Sequence, residues 1–159
     1  TRKCDAQLDF DLDLVRRTTM DNPVYYVQYG HARLCSILGK AREQGITLAA
    51  GAFDASALAL DDERKLALSI AAYPEVVARA AKAREPHQIA FFLMELCKQF
   101  HGYYSRGKAQ GRVISDDVET TRSRLSLITA LKTVIYNGLN LLGVSAPERM
   151  ESIAQPESV

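Results

Sequence analysis

The sequence has 159 residues and a mass of 17.6 kDa, the length of one domain at the usual rate of about 100–200 residues each. Apolar residues are 47% and charged residues 25%, which excludes wholesale disorder, a collagen repeat and a disulfide-stapled mini-protein. Its 20 Lys and Arg against 19 Asp and Glu leave a net charge of +1, excluding a globally basic grip on nucleic acid but not a local patch.

The first stretch, TRKCDAQLDF, has neither a starting Met nor the apolar heart of a signal peptide, and reads as a cut from a longer chain. No apolar run approaches the roughly 20 residues that cross a bilayer. Leu8 to Leu14 alternates Leu or Phe with Asp, the period of an extended segment with one buried face, or the approach to a helix capped by Asp11. Without a Gly turn, its carboxylates do not form a calcium loop. Residues 1–20 are set apart from the helical part as a linker or the end of a preceding core.

The period then changes to that of a helix. Asp21-Asn22-Pro23 gives a cap followed by Pro at the first helical position. Val24, Val27, His31, Leu34 and Leu38 follow at helical spacing up to Gly39 or Gly45. Asp61 or Asp62 opens a second helix through Leu66, Ile70 and Tyr73, which Pro74 is expected to end. A third runs from Glu75 to Arg84. Pro86 opens a fourth, with Ile89, Phe92, Leu93, Leu96, Phe100 and Tyr103 on its apolar side, and a loop from Gly107 to Asp117 follows. The last long helix runs from about Val118 to Leu142, with Gly143 as its C-terminal cap. Ser145-Ala146-Pro147 starts a last turn ending near Met150, and 151–159 is a polar tail expected to be disordered. The fold class is all-α, a helical bundle over 21–150.

Catalytic motifs are missing: the sequence holds no phosphate loop, no Gly-x-Gly-x-x-Gly, no His-Glu-x-x-His and no nucleophile elbow. The chain itself is read as non-catalytic. Its cysteines, Cys4, Cys35 and Cys97, are sparse and odd in number, which points to reduced thiols in a cytoplasm. His31 with Cys35, and Cys97 with His101, are each four apart, so two facing helices could offer a Cys2His2 zinc site. Lacking a Cys-x-x-Cys anchor, both cysteines are read as small core hydrophobes and no metal is expected.

An aromatic and basic pattern remains. Tyr26, Tyr29 and Arg33 share one stripe of the first helix, and the fourth ends in Phe100-His101-Gly102-Tyr103-Tyr104-Ser105-Arg106-Gly107-Lys108. Rings beside cations suit unstacked bases and their phosphates. The same stripe also suits a non-catalytic protein-docking module.

Three segments carry a resemblance. Asp21 to Arg33 (DNPVYYVQYGHAR) is similar to the DNPVYYVQYAHAR segment of bacterial arginyl-tRNA synthetases. Glu85 to Tyr104 resembles their EPHRIAxYL…FHxYY helix, and Tyr136 to Met150 (YNGLNLLGVSAPERM) resembles their C-terminal signature. The resemblance runs over residues 2 to 150 and implies a DALR-type α-helical domain that binds the tRNA anticodon stem and loop. It implies a parent ligase that uses ATP with Mg to join arginine to its tRNA on a catalytic domain outside this chain. By motif, anticodon contacts fall on Tyr29, Arg33, Phe100, Tyr104 and Met150, with phosphate contacts expected from Arg106, Lys108, Arg112 and Arg122. Gly30 stands where the family has Ala, at a helix cost of about 0.5–1 kcal/mol. Gly138 inside the last helix is read as a mark of tight packing. A cytoplasmic monomer is the expectation.

Overall fold

Asn22 opens the first helix as its position before Pro23 predicts: its side-chain oxygen accepts from the N–H groups of Val24, at 3.0 Å, and Tyr25, at 3.5 Å. A computed structural model describes residues 19–48, 55–110 and 112–150, the side chains of 108–110 aside. The stretch 8–14 and the tail 151–159 lie outside the described residues, as does the side chain of Lys108. Among the described residues there are four α-helices: α1 (Pro23–Glu43), α2 (Asp61–Ala83), α3 (His87–Gln110) and α4 (Val118–Leu141). A short 3-10 turn, Ala55–Ala57, precedes α2.

The expected helical bundle is what forms, and α1 packs on both α3 and α4. Leu34, Leu66, Leu93, Leu96, Phe100, Leu125, Ile128, Leu131 and Ile135 are buried at its centre. Each such side chain contributes about 1.5–3 kcal/mol by leaving water. At Gly138 a Cβ would stand 2.7 Å from Leu93 Cδ2, so the glycine is where α4 and α3 close on each other, as expected.

Three local readings need correction. Pro74 does not end a helix; α2 passes through it. An interior proline costs about 3 kcal/mol, but Leu66 on one side and Val76 and Ala80 on the other are all buried, and this packing on both flanks offsets the lost bond. The loop expected from Gly107 begins later, because α3 runs on to Gln110. Residues 144–150 form no helical turn. Gly143 takes φ +71°, and the N–H groups of Gly143 and Val144 donate to Asn140 and Leu139 at 3.0 and 2.9 Å. This double bond with a left-handed glycine stops α4 and turns the chain back along α1.

Candidate nucleic-acid interface

Two bonds from α1 fix the returning segment. Gln28 Nε2 donates to the Ser145 carbonyl at 2.9 Å and to its hydroxyl oxygen at 3.1 Å. His31, 1% exposed, donates from Nδ1 to the Pro147 carbonyl at 2.9 Å; a carbonyl only accepts, so the tautomer is settled. Thus anchored, Glu148, Arg149 and Met150 line a groove of about 720 Å³ against the side of α1, with Tyr29, Arg33 and Tyr104 in the same wall. Four of the five expected anticodon residues therefore meet in one place.

Arg33 is the centre of that wall. Its guanidinium carbon lies 5.1 Å from the centroid of Tyr29 and 4.9 Å from that of Tyr104. Such ring faces attract a cation without consuming its N–H donors. Behind it, Arg33 Nη1 donates to His101 Nδ1 at 3.4 Å. Burial first, and then the Arg33 charge, lower the His101 pKa to about 4, so the imidazole is a neutral acceptor at physiological pH. Its Nε2 is buried without a hydrogen-bond partner among the described residues.

Phe100 departs from its expected role. It is 0% exposed and lies beneath Tyr104, with ring centroids 6.0 Å apart; it backs the shelf and offers no face to a base. Gly30 belongs to the packing beneath the stack. It is buried, and a Cβ on it would stand 2.8 Å from Cys97 Sγ. The glycine makes room for the cysteine.

The expected phosphate contacts are scattered. Arg106 is paired with Asp62, its Nη2 at 2.6 Å, and Arg122 with Glu119 at 2.9 Å. Neither lines the groove, whereas Lys40, Arg42 and Arg149 do. These three were missed in the sequence. Lys40 had a signal, lying seven residues, or two turns, after Arg33; Arg149 had only its place beside Met150.

The two Cys-His pairs do not assemble a metal site. No group of three or more His, Cys, Asp or Glu is placed to hold a metal among the described residues. Cys35 Sγ lies 3.9 Å from His31 Nδ1, which is already committed to Pro147. Cys97 sits behind Gly30 in the core, where burial pushes its thiol up to about 12.

The groove's chemistry is that of a shelf for unstacked rings with a cationic rim. Comparison with known proteins gives the family. The sequence profile of the DALR anticodon binding domain matches residues 27–150. The chain is 54% identical over 154 residues to the arginine–tRNA ligase of an Anaeromyxobacter strain, Fw109-5, covering 96% of this chain and 26% of that protein. It is 50% identical over 150 residues to the arginine–tRNA ligase of Syntrophotalea carbinolica, covering 94% of this chain and 26% of that one. The arginyl-tRNA synthetase of Thermus thermophilus superposes with a TM-score of 0.67 at 39% identity, over 79% of this chain and 21% of the synthetase. The chain thus spans about a quarter of the length of the curated relatives it matches.

Proposed function

Because the chain belongs to the DALR anticodon-binding domain family, we propose that it is the part of an arginine–tRNA ligase that holds the anticodon loop of its tRNA. The observation that supports this best is the stack of Tyr29, Arg33 and Tyr104 lining one groove together with Met150. A splayed loop base enters the groove, lies against Tyr104 and Met150, and presents its edge to the free donors of Arg33. Lys40, Arg42 and Arg149 take the flanking phosphates. The domain contributes binding and geometry: it fixes the loop so that the far end of the tRNA reaches a catalytic centre elsewhere in the ligase. ATP chemistry is expected of that centre, and no step involving ATP is assigned to this chain. Among the described residues no helix is long and apolar enough to cross a membrane. The proposal includes a monomer acting in the cytoplasm.

Titration with an arginine-tRNA anticodon stem-loop, and with a copy altered at the middle base, tests the reading. Tyr104→Ala is expected to weaken binding by about 1–3 kcal/mol with helix content unchanged. Indifference to the middle base together with equal affinity of variant and parent would mean that the groove docks a protein instead.

A further inference from the structure

Tyr104 borders two grooves. The second groove, of about 530 Å³, has Ile37, Val113 and Ile114 among its apolar lining and Lys40 and Arg112 as cations. Ile37, Lys40 and Tyr104 line both grooves, so the second is continuous with the first. We infer that the second groove takes the base next in the strand to the one held in the first, with Lys40 on the phosphate that joins them. This rests on the anticodon reading above and deepens it: the loop binds as two successive nucleotides astride one ring.

The reasoning is one of continuity and charge. A single strand passing from one groove to the other leaves neighbouring bases in different grooves, and the phosphate between them passes over the shared border. Lys40 is exposed and reaches both grooves, which is where that one phosphate must lie. Apolar walls give stacking and burial to any base, because every base has a π-face. The first groove, with the Arg33 donors, reads its base; the second accepts its base with little regard to identity.

Gly107 provides a clean test. It lines the second groove and not the first, and a Cβ there meets nothing within 4 Å among the described residues. Gly107→Leu therefore improves the helix while filling the groove. The full chain is titrated with the intact stem-loop and with stem-loops made abasic at each loop position in turn, helix content being checked by circular dichroism. The parent is expected to lose about fivefold or more at two adjacent positions. Gly107→Leu is expected to bind the intact RNA about fivefold more weakly and to become indifferent to one of those two positions while keeping its response at the other. Lys40→Ala, an exposed change to a good helix former, is expected to lower the slope of log affinity against log salt by about 0.7. A neutral methylphosphonate at the joining phosphate should weaken the parent and leave Lys40→Ala unaffected. The inference is overturned if Gly107→Leu matches the parent, or if only one loop position matters. Where the parent still discriminates at the middle base in those cases, the anticodon reading stands; a parent that binds no stem-loop ends both.

Discussion

Tyr103 and Tyr104 are consecutive on α3, yet they serve two arginines kept in opposite ways. On the Tyr103 side, Glu63 is 0% exposed and accepts from Arg124 Nε at 2.6 Å and from the Tyr103 hydroxyl at 3.3 Å. Its other oxygen accepts from the Leu60 N–H at 3.0 Å, which caps the start of α2, and Arg124 Nη1 donates to the Arg112 carbonyl at 2.9 Å. One buried pair thus joins α2, α3, α4 and the chain between the last two. On the Tyr104 side, Arg33 is held by ring faces and a neutral imidazole. Arg124 has its charge neutralised inside the fold. Arg33 keeps its charge and most of its five donors for something that arrives from outside. Helical register decides which arginine is which, since neighbouring residues on a helix face about 100° apart.

The contrast makes separable predictions. Glu63→Ala leaves Arg124 buried without its counter-ion and should cost about 3–5 kcal/mol of stability, read by urea unfolding. Arg33→Ala should do the reverse: a loss of about 1.5–3 kcal/mol in stem-loop affinity, the worth of hydrogen bonds from a charged donor, with stability moved by less than about 1 kcal/mol. If Arg33→Ala unfolded the domain as Glu63→Ala does, the two arginines would be one kind. Gly30→Ala probes the floor beneath the stack, where the new Cβ meets Cys97. Overpacking of about 1–3 kcal/mol should outweigh the gain in helix propensity of about 0.5–1 kcal/mol. In a Cys97→Ala background the same change should become neutral or stabilising, a sign reversal that a double-mutant cycle measures.

The last contrast concerns pH. His101 is lowered from 6.5 to about 4 in the folded chain, so the unfolded chain binds more protons between those two values. The histidine's contribution to stability is therefore complete above pH 6.5 and is lost as pH falls toward 4. Unfolding curves of parent and His101→Asn should converge across that window; parallel curves would remove the neutral imidazole from the support of Arg33.

Sequence legibility differed between fold and site for physical reasons. The caps Asn22-Pro23 and Gly143 are local chemistry, and both were readable. Pro74 misled because its cost is local while its compensation, the burial of Leu66 and Val76 on either side, is tertiary. For the site, resemblance named Tyr29, Arg33, Tyr104 and Met150, which the fold brings to one groove, but spacing could not distinguish the half-buried Tyr104 from the wholly buried Phe100 one turn earlier. Charge misled in the same way. Arg106 looks free in sequence, and only the fold shows Asp62 beside it; Glu119, three residues before Arg122 on one helix, is a partner that spacing does carry. Lys40 gained its meaning from the two grooves it borders, neither of which is written in the order of residues.

The clasp of Gln28 on Ser145 and of His31 on Pro147 joins residues 117 and 116 apart. The groove's two sides are thus supplied by the first and last parts of the described chain. During synthesis, α1 must wait for α4 to emerge, dock and reverse before Met150 can join Arg33 in the groove. Long-range closure of this kind comes late, after its loop entropy has been met by the packing of the intervening helices. A chain that has not yet placed residues 145–150 carries the tyrosines and the arginine but not the finished cleft, so the groove is complete only when its two ends have met.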